Sequence, residues 1–239
     1  MEKKYFRIHP LLTCKMKHDK GMFTYLRNHG ERILVPTWAW LILGEEPILV
    51  DTGCSVEDFL KYSVLSFGGE AGPSIEDSLR KFDLSVLDIK TIIMTHLHSD
   101  HCLNAKKFPN ARIIVQEEEL KFAMNPHPLF SKTSNKEWYD GLTFEAIRGD
   151  SEIIPGIKTL FTPGHTAGSQ SVSISSEHGE VVITGFCVLD DNFSDKEDII
   201  PSIHIDPLRA YDSMVKIRKI ADTIIPLHSE RILNVSAIP

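Results

Sequence analysis

Short apolar runs, separated by turn residues, recur along the chain and predict a protein rich in β-strands. The runs at 33–43 and 47–51 flank the turn residues of 44–46 and predict a hairpin. Further strands are expected at 91–95, 112–115, 157–161, 170–175, 180–184 and 223–226. Helical patterns stand between several of these strands, so both element types are expected within one fold.

Helix signals mark several segments between the strands. Ser74 precedes an acidic first turn and predicts the N-terminus of a helix over 74–82. Pro207 begins an amphipathic pattern that predicts a helix over 207–221. Shorter helices are expected near 103–108 and over 117–124.

The tract 125–150 has no clear periodicity and is predicted to be irregular. It contains Trp138, Tyr139 and Phe144. Long irregular segments in compact domains are often binding elements, so these aromatic side chains are expected to wall a substrate pocket.

Composition limits the classes of function. The 239 residues are 42% hydrophobic and 25% charged, and they show no linker or low-complexity tract, which favours a single domain over 1–239. The net charge of -7 argues against nucleic acid as a partner. No apolar run is long enough to span a bilayer, so no membrane partner is expected. The N-terminal residues do not resemble a signal peptide.

The cysteines are far apart in the sequence and form no CxxC pair. They are predicted to be reduced thiols in a cytoplasmic protein. They are Cys14, Cys54, Cys102 and Cys187.

The segment MTHLHSDHCLN, at 94–104, carries four metal-binding side chains directly after an apolar strand. They are His96, His98, Asp100 and His101. Imidazole and carboxylate suit zinc, iron or manganese. So many of these groups close together are unfavourable unless a cation compensates them. The alternative, a polar surface loop with chance histidines, is much weaker.

Two later strands also end at a histidine. The strand at 157–161 runs into Pro163-Gly164-His165, and the strand at 223–226 is followed by His228. Gly164 permits backbone angles that are closed to other residues. Either histidine alone would be a weak signal. Together with the cluster at 96–101, they indicate one site at one edge of a sheet.

The remaining histidines belong to no such cluster. His18 lies in the charged run 17–20 and is predicted to lie in a solvated loop. His127 is expected to be a loop residue, although it could line a pocket. His204, close to a helix start, is expected to be structural, although it could support a metal ligand from behind. The others are predicted to be surface residues: His9, His29 and His178.

Taken together, these motifs resemble those of the metallo-β-lactamase superfamily. The motif H-x-H-x-D-H stands at 96–101, and ILVDTG, TPGHTAGS and PLHSE follow the family order. Within it, the tracts at 95–120 and 203–229 are similar to the branch of N-acyl homoserine lactonases and pyridoxolactonase. The resemblance implies an α+β fold, a four-layer αββα sandwich with a metal site at one edge of its sheets.

The resemblance also implies a ligand set for two metal ions. His96, His98 and His165 would hold one ion. Asp100, His101 and His228 would hold the other. Asp51 matches an aspartate that braces the metal loop from behind.

The sequence departs from the family pattern after the strand at 180–184. Phe186 stands where an aspartate usually bridges the two metals. Three alternatives remain open: Cys187 as the replacement ligand, Asp190 or Asp191 turning inward, or a bridging water alone. Leu189 stands where homoserine lactonases carry a tyrosine, which weakens the case for acyl homoserine lactones.

The function that the resemblance implies is hydrolysis by a metal-bound hydroxide, most simply of a lactone or similar ester. Asp100 would be the catalytic proton carrier. Two divalent ions are expected, with zinc favoured over iron or manganese. The alternatives are another hydrolase of the superfamily, acting on a thioester, amide or phosphodiester, or a metal-binding protein with little turnover.

Overall fold

The computed structural model of the protein describes residues 4–63 and 66–239. Within these residues, two β-sheets face each other. The strands of the first sheet, in order across it, are β4 (Gly69–Ala71), β1 (Arg7–Asp19), β2 (Arg32–Leu43), β3 (Ile48–Val50), β5 (Thr91–Ile93), β6 (Arg112–Gln116) and β7 (Phe144–Ile147). The strands of the second are β12 (Thr223–Ile225), β11 (Gly179–Ile183), β10 (Gln170–Ser176), β9 (Ile157–Phe161) and β8 (Ser151–Ile154).

Helices cover the outer faces of both sheets. The α-helices are α1 (Val56–Tyr62), α2 (Ile75–Arg80), α3 (Ser99–Cys102), α4 (Glu117–Met124), α5 (Lys136–Tyr139) and α6 (Pro207–Ile220). Short 3-10 turns lie at Lys20–Met22, Leu103–Lys107, Pro128–Phe130 and Asp190–Asn192. Helices α2, α4 and α5 pack on the first sheet, and α6 packs on the second, which completes the αββα sandwich.

The alternation of side chains along each strand builds this layered core. In β5, Ile92 packs toward the helices on the first sheet, and Ile93 packs between the two sheets. In β11, Val181 and Ile183 pack between the sheets, and Val182 packs toward α6. Strands buried on both faces are therefore apolar throughout, which is why these runs were recognisable in the sequence.

Several predicted elements are confirmed. Strands β2 and β3 form the antiparallel hairpin, with Trp40 opposite Val50. The side chain of Ser74 accepts a hydrogen bond from the N–H of Asp77 and caps α2. Helix α4 has the predicted bounds, and Pro207 is the first residue of α6. Local signals sufficed here because caps and apolar spacing act within a few residues.

Other elements were not predicted. Strand β1 is 13 residues long, and its polar residues hid its alternation. The tract 125–150 is not irregular throughout, since it contains α5 and β7. Strand β7 pairs in parallel with β6. The strand is short, and it is stabilised by hydrogen bonds to a partner that is distant in the sequence, so its own residues did not predict it.

No helix in the described part of the chain is long and apolar enough to cross a lipid bilayer.

Candidate metal centre

The ends of several strands converge on one rim of the sandwich. Asp51 follows β3, and His96 follows β5, its parallel neighbour in the first sheet. His165 follows β9, Cys187 follows β11, and His228 follows β12 in the second sheet. Because β11 and β12 are also parallel, their carboxyl ends meet at the same edge. The topology thus gathers side chains from opposite ends of the sequence.

One group of potential ligand atoms surrounds His165. Its Nε2 lies 3.2 Å from Nε2 of His96 and 3.1 Å from Nδ1 of His98. The sulfur of Cys187 completes the group, whose ligand atoms all lie within 4.8 Å of one another. Nitrogens this close repel each other unless a proton or a cation lies between them, so the arrangement suits a metal ion.

A second group surrounds Asp100. Its Oδ2 lies 3.1 Å from Nε2 of His101 and 3.7 Å from Nε2 of His228. The sulfur of Cys187 belongs to this group as well. Nε2 of His228 is buried and has no hydrogen-bond partner among the described residues. A buried nitrogen without a partner is costly, and a bound cation would satisfy it.

The orientation of the rings in the first sheet depends on Asp51. Its Oδ2 accepts hydrogen bonds from Nδ1 of His101 at 2.9 Å and from the hydroxyl of Thr95 at 2.8 Å. The Thr95 oxygen then accepts from Nδ1 of His96 at 3.0 Å, since its own proton is already donated. Asp51 also has a φ of 54°, an unusual backbone conformation for this residue type. The expected bracing role of Asp51 agrees with these contacts.

Backbone carbonyls orient the two rings from the second sheet. Nδ1 of His165 donates to the carbonyl of Ile203 at 2.5 Å, and Nδ1 of His228 donates to the carbonyl of Pro36 at 2.9 Å. Each bond holds the proton on Nδ1 and leaves the lone pair of Nε2 facing the site. Such outer bonds are typical of metal-binding histidines.

The protonation states also favour a cation. Burial lowers the pKa of His96 and His165 well below the usual value, and neighbouring histidines lower it further. Burial lowers the pKa of His228 to about 4. Burial also acts on His101, but Asp100 and Asp51 outweigh it and raise its pKa. Without a metal, His96, His165 and His228 are therefore neutral and His101 is protonated. The positive charge of His101 compensates the carboxylates of Asp51 and Asp100, as a bound cation would.

The carboxyl group of Asp100 stays ionised in this setting. Burial raises its pKa, but the positive charge of His101 outweighs burial and holds the pKa far below the usual range. A carboxylate at this position is a competent metal ligand.

Cys187, and not Phe186, points into the site. Strand β11 ends at Ile183, so strict alternation no longer applies at 186 and 187, and no bulge is required. Phe186 packs against Met214 and Ile217 of α6. Burial raises the pKa of the Cys187 thiol to about 11, so the thiol is protonated without a metal.

The two aspartates that were considered as substitute ligands are engaged elsewhere. Asp190 accepts hydrogen bonds from the hydroxyl of Ser229 at 2.6 Å and from the N–H of Glu230 at 2.9 Å. Asp191 pairs with Lys20 at 2.6 Å. Asp190 thus braces the turn that carries His228 without reaching the centre.

A cavity of about 70 Å³ opens onto the candidate ligands, and most of its wall is apolar. The candidate ligands in its lining are His98, Asp100, Cys187 and His228. Its apolar and aromatic residues are Met16, Met22, Phe23, Val35, Phe59, Tyr62, Trp138 and Ile203. The other lining residues are His18, Thr37, Ser63, Ser99, Lys132 and Thr133. Apolar pockets with a few convergent polar groups are typical small-molecule sites.

Of the three aromatic residues expected to wall this pocket, Trp138 does so. The expectation was wrong for Tyr139 and Phe144, which pack with the helices on the first sheet. Their position depends on α5 and β7, whose directions the irregular pattern of the tract could not indicate.

His18 was predicted to be solvated, and this was wrong. It lies in β1 and is only 7% exposed, with its ring against Phe23 and Phe59. The alternation Cys14, Met16, His18 places these side chains on one buried face, with lysines between them. That period was the available signal, and the surrounding charges obscured it.

Comparison of the sequence with known proteins identifies a family whose members include hydrolases with a catalytic metal centre. Residues 32–216 match the family model of the metallo-beta-lactamase superfamily. The N-acyl homoserine lactonase AiiA of Bacillus thuringiensis subsp. kurstaki is 30% identical over 204 residues, which is 80% of this chain and 78% of that protein. An N-acyl homoserine lactonase of Bacillus sp. is 29% identical over 224 residues, covering 88% of this chain and 86% of the relative.

Solved structures show the same relationship. A crystal structure of a B. thuringiensis AiiA variant, with N-decanoyl-L-homoserine bound at its active site, is 27% identical. It superposes with a TM-score of 0.80 and covers 97% of this chain and 95% of that one. An N-acyl homoserine lactone hydrolase with its product at the catalytic metal centre gives the same values. The chain therefore belongs to the metallo-beta-lactamase superfamily and is a metal-dependent hydrolase.

Proposed function

We propose that this protein opens a lactone, or a closely similar ester, at a centre of two divalent metal ions. The observation that carries the proposal is the pair of converging ligand groups at the floor of an apolar cavity. The relatives are named as N-acyl homoserine lactonases, and an apolar pocket with a few convergent polar groups suits a small substrate of this kind.

The proposed ligands of the first ion are His96, His98 and His165. Those of the second are Asp100, His101 and His228. Cys187 is the proposed ligand between the two, since its sulfur belongs to both groups. Nitrogen and sulfur donors favour zinc over manganese or iron.

When bound, the ions would supply Lewis acidity toward the carbonyl oxygen and lower the pKa of a water molecule. Asp100 is the proposed catalytic residue, because its carboxylate lies in the cavity wall beside the ligands. It would accept the proton of the attacking water and return it to the alkoxide oxygen as the carbon–oxygen bond of the ester breaks. The carboxylate is thus unchanged at the end of each turnover.

The cavity wall favours a neutral substrate with an apolar substituent. Phe23 and Val35 pack with Leu189, so the position where homoserine lactonases carry a tyrosine is apolar here. A substrate held mainly by apolar contact would have less need of a phenolic hydrogen bond. N-acyl homoserine lactones belong in the first substrate panel because the relatives are named for them.

Metal content tests the centre directly. Protein purified without chelator or added metal is expected to contain about two divalent ions per chain, because the proposed histidine and aspartate ligands alone exceed the four that one tetrahedral ion uses. Elemental analysis measures this ratio, and a ratio of one would contradict the two-ion centre.

A substrate panel tests the reaction. Zinc-loaded protein would be offered unsubstituted γ-butyrolactone, acyl-substituted lactones, a linear ester, a thioester and a phosphodiester. Hydrolysis of each substrate would be monitored through the proton that it releases. We expect the acyl-substituted lactones to give the highest kcat/KM, with activity lost on chelation and restored by zinc. Faster thioester or phosphodiester cleavage would assign a different hydrolase activity. Full metal content without turnover on any substrate would indicate a metal-binding protein.

A further inference from the structure

Glu119 is a buried acidic residue with no role in the proposed chemistry. It lies in the first turn of α4 and is only 2% exposed. Its neighbour Glu117 forms surface ion pairs with Lys121 and Arg148. Carboxylates are almost never fully buried without partners, so the partners of Glu119 indicate why it is there.

The carboxylate of Glu119 joins two backbone segments. Oε1 accepts a hydrogen bond from the N–H of Leu97 at 2.9 Å, and Oε2 accepts one from the N–H of Gly168 at 3.0 Å. Leu97 stands between His96 and His98, and Gly168 is three residues after His165. One side chain therefore links the segments that carry all three proposed ligands of the first ion.

Leu97 is also held at its carbonyl oxygen. The hydroxyl of Tyr139 donates to this oxygen at 2.6 Å, from helix α5. The N–H of Leu97 thus donates to Glu119, and its carbonyl accepts from Tyr139. Leu97 is the residue that connects His96 to His98. Rotation of the backbone at Leu97 would change the angle between these two rings.

The segment after His165 packs directly on α4. A Cβ atom at Gly168 would lie 2.2 Å from the backbone nitrogen of Glu119, so only glycine allows this approach. The contact brings the N–H of Gly168 to the carboxylate.

We propose that Glu119, together with Tyr139, is a positioning residue that sets the geometry of the first metal site by holding the backbone on both sides of it. This inference rests on the proposed metal centre. Glu119 touches neither ligand nor substrate, so its effect should be confined to the site whose backbone it holds. The second site is braced by Asp51 and Pro36 and should be insensitive.

The test uses Glu119→Gln, which keeps the size of the side chain but cannot accept both hydrogen bonds. Zinc is titrated into metal-free protein, and the ring nitrogens of His98 and His165 are followed by NMR separately from those of His101 and His228. We expect the zinc concentration for half-occupancy of the first site to rise roughly tenfold or more, since outer partners of ligands have effects of this size. The second site should change less than about twofold.

Two further variants sharpen the result. Tyr139→Phe removes the hydroxyl that donates to the Leu97 carbonyl, together with its 3.4 Å contact to the Ser134 hydroxyl, and should weaken the first site selectively as well. Glu118→Gln is the matched control, since Glu118 lies in the same turn and is exposed. It should bind zinc like the wild type.

Equal weakening of both sites in Glu119→Gln, or no weakening, would overturn the positioning role. If the wild-type protein shows no zinc-induced shifts in either group of histidines, the proposed metal centre itself fails. The two failures are therefore distinguishable.

Discussion

At the scale of single residues, His165 and His228 differ from His178 in what holds the far side of the ring. His165 and His228 each donate from Nδ1 to a carbonyl 38 and 192 residues away in sequence. His178 is exposed, and its structural contact is made by its backbone N–H. Anchored rings lose little freedom on binding a metal, which is the physical reason to expect affinity at the first two and none at the third.

Replacing His165 with alanine should remove a ligand of the first ion. We expect at least about a 100-fold loss of kcat/KM together with loss of metal, a larger effect than the 10–100-fold typical of outer partners. His98→Ala should behave in the same way. Elemental analysis and kinetics measure the two effects, and His178→Ala is the control. Equal losses in all three variants would instead mean general destabilisation.

Cys187 offers a test of the unusual ligand set. In Cys187→Ser, the cobalt-substituted protein should lose the sulfur-to-cobalt charge-transfer absorption and bind its second metal roughly tenfold more weakly. Cys14→Ser is the matched control, because Cys14 is equally buried but belongs to no ligand group. Unchanged absorption and metal content in Cys187→Ser would show that only water bridges the ions.

At the scale of elements, a short helix in a tract that was predicted to be irregular builds part of the pocket. Helix α5 turns Trp138 toward the cavity, where its ring meets Tyr62 edge-on at 5.4 Å between centroids. The next residue, Tyr139, points to the protein interior and reaches Leu97. One turn of helix thus contributes both to the wall of the cavity and to the backbone beside the proposed metal ligands.

Truncating Trp138 to alanine should impair binding of large substrates more than small ones. We expect KM for acyl-substituted lactones to rise roughly tenfold, from lost apolar contact, with kcat changed much less. KM for unsubstituted γ-butyrolactone should change little. Phe144→Leu, from the same tract but packed toward the helices, is the control. An equal rise in KM for both substrates would show that Trp138 does not contact the acyl substituent.

At the scale of the whole molecule, the two sheets form a single rim only when they are packed together. The first sheet contributes His96, His98 and His101, and the second contributes His165 and His228. Folding therefore buries several neutral imidazoles at one place. That burial links stability to pH whenever the metal is absent.

The metal-free protein should lose stability as the pH falls from 6.5 toward 4. His228 has a pKa of about 4 in the fold, against the usual histidine value of 6.5. Between these two values the unfolded chain binds a proton that the folded protein does not bind. His96 and His165 act in the same direction. His101, whose pKa is raised, is already protonated and does not offset them.

Denaturant unfolding of the metal-free protein at several pH values measures this slope. His228→Asn should make the slope shallower, and His178→Asn should leave it unchanged. A free energy of unfolding that stays constant between pH 6.5 and 4 would contradict the burial of neutral imidazoles.

The sequence by itself determined the strands, the capped helices and the presence of histidines at strand ends. These features depend on alternation, caps and motif spacing, which act within a few residues and can be recognised from the sequence alone. Only the tertiary structure decided which of Phe186 and Cys187 faces the site, that His18 is buried, and that Glu119 holds Leu97 and Gly168. The contacts of Glu119 join segments 22 and 49 residues apart in the sequence, and its partners are backbone groups common to every residue type. The positions of His18, Phe186 and Cys187 depend on side chains from other elements that pack around them.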